Sequence, residues 1–331
     1  MNTLFLTTSN DDIVRAAEIL QGGGLVAFPT ETVYGLGANA LDERAVSSIF
    51  TAKGRPADNP LIVHISNINQ LKSLVLEVPE VAQILIDKFW PAPLTIVMKK
   101  SNLVPNIVSA GLDTVAIRMP NHKIALELIE KSGLPIAAPS ANTSGKPSPT
   151  KAMHVAEDMT GRIHAIIDGG SCDVGVESTV IDVTGEIPLL LRPGMVTYEQ
   201  LVDVLGEVKQ NFEYKDGETP RSPGVKYKHY APKAQVVILR GNFAKYINEN
   251  AHKYNNVGVL CHTNAIFPNN CVVKKLGESS SEYAANLFAY LRDFDNEDID
   301  IIFAEDIGSG GINLAVSNRL YKAAGYKIIE V

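Results

Sequence analysis

The chain has 331 residues, 45% hydrophobic and 20% charged, with 30 Lys+Arg against 37 Asp+Glu and a formal net charge of −7. That length suggests two domains and the composition is globular, while the acidic balance argues against a broad nucleic-acid-binding face. Cys172, Cys261 and Cys271 show no Cys-x-x-Cys spacing, there is no basic-then-apolar leader, and no apolar run nears the ~20 residues that span a bilayer, so a soluble, cytoplasmic protein without a disulfide framework or structural zinc is expected.

In chain order, Ser9 opens a first helix, with Asp12 three residues on as an approximate capping box. Ile13, Ala16, Ala17, Ile19 and Leu20 recur at helical spacing, and Gly22-Gly23-Gly24 ends the helix before a short strand over Leu25–Phe28. The glycines precede that strand, whereas a dinucleotide-binding loop follows one. Pro29 to Gly37 reads as a loop whose hydroxyls either cap their own backbone or meet a ligand, with Gly35 and Gly37 letting the backbone approach closely.

Ala45–Ala52 predicts a helix stopped by Gly54, and Pro56 and Pro60 forbid its resumption. Leu61–Ile65 is a compact apolar run suited to a buried strand, and His64 lies near its end. The loop between carries Lys53, Arg55, Asp58 and Asn59. Two cations held in a Gly/Pro loop suit a multiply charged anion; the plain alternative is a surface loop with solvated charges.

Pro79–Phe89 is expected to be helical, and Leu94–Met98 and Thr114–Arg118 to be strands, the second ending in an arginine just before Pro120. Asn121 is expected to cap a helix that ends at Gly133. The strand Pro135–Ala138 runs into Pro139–Thr150, which holds Ser140, Asn142, Lys146 and Ser148 among three prolines. Donors on a stiff backbone suit phosphate oxygens; a flexible linker is the alternative. Ala165–Asp168 is a strand, Gly175–Ile181 is a loop bearing Ser178 that feeds another, and Leu189–Gly194 repeats the strand, arginine, proline order at Arg192. Thr197 to Gln200 is a capping box for a helix ending near Gly206. Strands that keep ending in Thr, Ser, Asn and Arg point to one ligand cavity.

Residues 208–218 read as the start of a linker. From Arg221 to Lys233 there are four cations and no acid, with Tyr227, His229 and Tyr230 among them. Prolines keep this stretch extended, either as a strap over an anionic ligand or as a basic exposed linker. From Gln235 strands and helices alternate: strands at Gln235–Leu239, Val257–Leu260, Val272–Leu276, Ile299–Ala304 and Tyr326–Ile329, helices near Phe243–His252, Glu282–Leu291 and Leu314–Ala324. This is a small α/β domain with a largely parallel sheet. Gly308-Ser309-Gly310-Gly311 lies between a strand and a helix, where an ordinary turn is favoured over an anion site.

The chain has no metal motif, nucleophile elbow, Walker loop or kinase signature. Its cations and hydroxyls suit a triphosphate and a small carboxylate held together, hence phosphoryl or nucleotidyl transfer driven by positioning and charge neutralisation. Mg2+ would arrive with the nucleotide.

Phe28 to Gly37, Lys53-x-Arg55 through His64, Pro139-Ser140-Ala141-Asn142, Gly175 to Thr179 and Arg192-Pro193-Gly194 together resemble the YrdC-like threonylcarbamoyl-AMP synthases. Ser222 to Pro232, with Val225 where that family often has Met, and the α/β tail resemble its longer, two-domain form. The resemblance implies a twisted, open α/β sheet at 1–207, a Pro-rich basic linker or strap at 208–233, and a smaller Rossmann-like α/β domain at 234–331. It implies that L-threonine, bicarbonate and ATP give threonylcarbamoyl-AMP and diphosphate, for N6-threonylcarbamoyladenosine formation in tRNA. Thr32, His64, Arg118, Ala138 and Ser178 would hold threonine. Arg55, Asn59, Thr114, Ser140, Asn142, Ser148, Arg192 and Tyr230 would hold ATP, and Lys53 and Arg55 would neutralise charge at the α-phosphate. A transient contact with the tRNA threonylcarbamoyltransferase that uses the product is expected; membrane association and stable nucleic-acid binding are not. The rival readings are an RNA-binding module, disfavoured by a net charge of −8 over residues 1–207 (15 Lys+Arg against 23 Asp+Glu), and a carbamoyltransferase, whose larger relatives carry zinc-type cysteine pairs that are missing from this sequence.

Overall fold

A computed structural model describes residues 1–212 and 229–331. In it, residues 213–228, which hold most of the expected linker and strap, lie outside the described residues. The described chain divides into two compact units. The first gathers Met1–Ser144, Pro149–Asp173 and residues 177–212; the second gathers Gly145–Ser148, Val174–Val176 and residues 229–331.

The first unit begins with β1 (Leu4–Leu6), α1 (Asn10–Gln21), β2 (Val26–Phe28), β3 (Gly35–Asn39), α2 (Glu43–Lys53) and β4 (Ile62–His64). It continues with α3 (Ile68–Leu74), α4 (Glu80–Phe89), β5 (Leu94–Lys99), α5 (Asn106–Ser109), β6 (Thr114–Arg118), α6 (Lys123–Ser132) and β7 (Ile136–Ala137). It ends, among the described residues, with α7 (Ala152–Met159), β8 (Ala165–Ile167), β9 (Thr179–Asp182), β10 (Leu189–Arg192), α8 (Tyr198–Leu205) and β11 (Lys209–Gln210). The caps follow local chemistry. Ser9 accepts from Asp12 N at α1, Gly54 ends α2 at φ 61, and Thr197 with Gln200 closes the expected capping box on α8.

These strands form one mixed sheet in the order β1-β8-β2-β3-β7-β4-β6-β5-β9-β10-β11. Strand side chains alternate between faces, and the two faces have different fates. Ala27, Val63, Ile96, Met98, Ile117 and Ile181 join the main core, packed under α2, α3, α4, α7 and α8. Val26, Phe28, Ile136 and Ile167 pack on the opposite side under α1 and α6. Further along that second side, among the described residues, a small apolar group is buried, built on Ile62, Val97, Ala116 and Val180. The polar residues that matter most stand beside this group.

Several elements differ from expectation. Gly35–Gly37, the end of the expected Pro29–Gly37 loop, instead opens β3, which runs antiparallel to β2. Its glycines make room for a ring: a Cβ at Gly37 would come within 2.8 Å of Phe28 Cε1 and 2.9 Å of Ile136 Cγ2. The cap of α6 is His122, whose Nδ1 accepts from Ala125 N, not Asn121. The sequence reading passed over β1, α3, α5 and α7, and Lys209–Gln210, inside the expected linker, adds a short strand parallel to β10.

The second unit contains β12 (Gln235–Arg240), α9 (Phe243–Asn250), β13 (Val257–Cys261), β14 (Cys271–Lys275), α10 (Ser280–Asp295), β15 (Ile301–Glu305), α11 (Ile312–Ala323) and β16 (Ile328–Glu330). All pairings in its sheet, ordered β14-β13-β15-β12-β16, are parallel. α9 packs Phe243 and Ile247 with Val237, Val259 and Phe303. Phe294 of α10 lies over Gly258, where an added Cβ would meet its ring at 3.1 Å. Residues 145–148 join this unit through Arg292, whose Nε and Nη2 donate to Pro147 O at 3.0 and 2.7 Å. Among the described residues, no helix is long and apolar enough to cross a membrane.

Candidate active site

Period-two alternation gathers a polar group on the second face of the first sheet. His64 ends β4, two residues beyond Ile62; Arg118 ends β6, two beyond Ala116; Thr95 lies two before Val97 on β5; Ser178 lies two before Val180 at the head of β9. Register makes them neighbours: His64 pairs with Arg118, and Arg118 with Thr95. The Thr95 and Ser178 hydroxyls are 2.7 Å apart. From β10, Arg192 reaches Ser178 twice, with Nε donating to its carbonyl at 2.9 Å and Nη2 to its hydroxyl at 3.0 Å. All five residues are buried.

The Thr30–Tyr34 loop covers the same end of Arg118. Arg118 Nη1 donates to Thr32 Oγ1 at 2.9 Å, and Nη2 lies 2.7 Å from Glu31 Oε2. The Thr30 and Thr32 hydroxyls are 2.8 Å apart, and Thr30 Oγ1 donates to Val33 O, so this loop does cap itself while it also holds the arginine. Tyr34 fixes the loop to the end of β8: its hydroxyl donates to Gly170 O at 2.6 Å and accepts from Gly169 N at 3.2 Å. Ala138 continues β7, with its N–H on Ile62 O at 2.9 Å. Thus Thr32, His64, Arg118, Ala138 and Ser178, foreseen as one group, are brought together.

Burial sets the electrostatics. The His64 pKa is lowered to about 3 by burial and then by the positive charge of Arg118, so the imidazole is neutral near neutral pH. Among the described residues, its Nδ1, the Arg118 Nε and Nη2 and both Glu31 carboxylate oxygens are buried atoms without a hydrogen-bond partner. Burial also pushes the Cys172 thiol up, which leaves it protonated and a poor nucleophile.

A second group forms around α2. Lys53, at its last position, is 2% exposed. Its ammonium donates to Ser140 O at 2.5 Å and Asn142 O at 2.7 Å, tying the 140–142 loop to the helix. Arg55 stacks over Phe50, 5.8 Å from the ring centroid, and donates to Asn59 O at 3.0 Å. The Asn59 side-chain amide is buried and makes no hydrogen bond among the described residues. Thr114 shares a face with Arg118 but stands at the other end of β6, about 13 Å away at the usual strand rise. Ser148 and Tyr230 belong to the second unit, where both are buried and Tyr230 packs on Phe288 with ring centroids 5.0 Å apart. Sequence reasoning left Thr95 and Glu31 out of the site. Thr95 could have been found from its alternation with Val97, whereas nothing local ties Glu31 to Arg118.

Comparison with known proteins gives a consistent picture. A family model described as telomere recombination matches residues 18–194, and one described as the C-terminal domain of threonylcarbamoyl-AMP synthase matches residues 196–325. The chain is 52% identical to the threonylcarbamoyl-AMP synthase of Pyrococcus abyssi over 96% of its own length and 95% of that protein. It is 50% identical to the Bacillus subtilis protein of the same name, over 98% and 96%. The crystal structure of P. abyssi Sua5 complexed with L-threonine superposes with a TM-score of 0.94 at 49% identity, covering 100% of both chains.

Proposed function

The chain belongs to the threonylcarbamoyl-AMP synthase family and carries both a YrdC-like domain and a Sua5 C-terminal domain, and on that premise we propose its reaction and the duties of its residues. It joins L-threonine, bicarbonate and ATP into threonylcarbamoyl-AMP, releasing diphosphate and water, as the first step of tRNA threonylcarbamoyladenosine modification. The observation that carries this reading is the buried cluster of Arg118, Thr32, His64 and Ser178, whose cation and hydroxyls suit a small hydroxylated carboxylate.

Arg118 receives the amino-acid carboxylate, its natural partner in planar geometry. Thr32, Ser178 and the neutral His64 imidazole offer hydrogen bonds to the rest of threonine, and Ala138 leaves space for its methyl group. Arg192, already bound to Ser178, faces nucleotide phosphate. Arg55, Asn59, Thr114, Ser140 and Asn142 hold the rest of ATP. Lys53 and Arg55 neutralise charge as a carbamate oxygen attacks the α-phosphate and diphosphate leaves. The donor set of cations and hydroxyls suits phosphate oxygens, and Mg2+ would come bound to them and to water. The product would pass to a tRNA threonylcarbamoyltransferase, through a transient contact in the cytoplasm.

The test is diphosphate release by purified full-length protein, with the adenylate identified by mass. Release should require ATP, L-threonine and bicarbonate together. Threonine-independent release, or turnover of carbamoyl phosphate in place of ATP and bicarbonate, would count against the reading.

A further inference from the structure

Glu31 has no task in the reading above, yet it is 6% exposed and lies 2.7 Å from the arginine assigned to the substrate carboxylate. A buried carboxylate is costly unless its oxygens are satisfied. Here Oε2 makes an ion pair with Arg118 Nη2 but no hydrogen bond, and Oε1 is buried with no donor among the described residues. The neighbouring guanidinium shows the converse, because Nε is a buried donor with no acceptor. Among the described residues, both carboxylate oxygens and the Nε and Nη2 of the guanidinium lack a hydrogen-bond partner, so the paired anion and cation each have unused hydrogen-bonding capacity.

We propose that Glu31 receives the α-ammonium of the amino-acid substrate, so that Glu31 and Arg118 form a matched pair for a zwitterion. This rests on the functional reading of the same recess. An incoming α-amino acid brings a carboxylate to Arg118 and an ammonium to Glu31, and both buried charges gain the hydrogen bonds they lack. The pair also sets specificity: a ligand with the carboxylate but no amine still leaves Glu31 short of a donor and competes with it for Arg118. The adjacent hydroxyls of Thr30 and Thr32 do not replace the ammonium, because Thr30 donates to Val33 O, which leaves the Thr32 hydroxyl as the donor to Thr30 Oγ1. His122, whose titration is affected by the charges of both Glu31 and Arg118, is held below its usual pKa by burial and so adds no competing cation at neutral pH.

The test is calorimetric titration of the full-length protein with L-threonine and with (R)-3-hydroxybutanoate, which is threonine without its amine. The native chain should prefer threonine by roughly tenfold to a hundredfold, the range for a hydrogen bond to a charged group. In Glu31→Gln, threonine affinity should fall and that preference should shrink toward unity, while 3-hydroxybutanoate binds as well or better. Equal affinity of the native chain for both ligands would overturn the proposal without any variant. An equal loss for both ligands in folded Glu31→Gln would also overturn it, leaving Glu31 as a support for Arg118 alone. If the native chain releases diphosphate as expected but shows either result, this inference fails and the synthase reading stands; if it neither binds threonine nor releases diphosphate, both fail.

Discussion

His64 and Arg118 are register partners on the parallel strands β4 and β6, so an imidazole and a guanidinium share one buried patch of sheet. Burial, and then the neighbour's charge, keep the histidine neutral, with a pKa lowered from 6.5 to about 3. Between those values the unfolded chain binds a proton that the folded chain refuses, so stability must fall as pH drops from about 6.5 toward 3. The thermal midpoint should therefore be lower at pH 5 than at pH 7, and His64→Asn should flatten that dependence. An unaltered pH slope in the variant would move the effect to other groups.

Replacing Arg118 with Met should hurt twice. The substrate carboxylate loses its partner, and Glu31 is left buried without a counter-charge, which costs about 3–5 kcal/mol when a buried pair is broken. Adding Glu31→Gln to Arg118→Met removes the stranded anion and should restore a good part of the stability in urea unfolding, while threonine binding stays lost. If the double variant is no more stable than the single, the two side chains are not coupled as their 2.7 Å contact requires.

The parts of this site legible in sequence were those written in local chemistry. The strand, arginine, proline order at Arg118 and Arg192, and the apolar run ending near His64, each announce a side chain at a strand terminus. Thr95 and Glu31 escaped because their partners are distant in sequence: Thr95 meets Ser178 83 positions on, and Glu31 meets Arg118 across two strands that are not sequence neighbours. The fold shows the same division. Caps at Ser9, Gly54 and Thr197 were readable, whereas β3 was not, since Gly35 and Gly37 look like loop residues until the Phe28 ring is laid against them.

That last contact makes its own prediction. Gly37→Ala places a methyl group within 3 Å of both Phe28 and Ile136, and overpacking of this kind costs roughly 1–3 kcal/mol. Chemical denaturation should show the loss. Phe28→Leu in the same chain should recover part of it by opening space, and no recovery would mean that the ring is not what demands glycine.

Thr95→Val keeps shape and strand preference but removes the hydroxyl that meets Ser178. Stability should drop by about 1 kcal/mol, the usual net worth of a hydrogen bond. Ser178 remains tethered by Arg192, so turnover at saturation should change little while KM for threonine rises several-fold. A fall in kcat with KM unchanged would place Thr95 outside threonine binding.

Lys53→Met tests whether the lysine acts through the loop it holds as well as through its charge. The substitution leaves the carbonyls of Ser140 and Asn142 without their ammonium donor, and a buried unsatisfied acceptor costs about 1–3 kcal/mol. The 140–144 backbone should then exchange its amide hydrogens faster, even though Ser144 N still donates to Lys53 O at 3.0 Å. Lys53→Arg retains the charge but presents a planar fork in place of a compact ammonium. It should therefore restore turnover only as far as it restores exchange protection of that loop. Full turnover in Lys53→Arg with the loop still unprotected would show that charge alone suffices and that the two carbonyl contacts are incidental to catalysis.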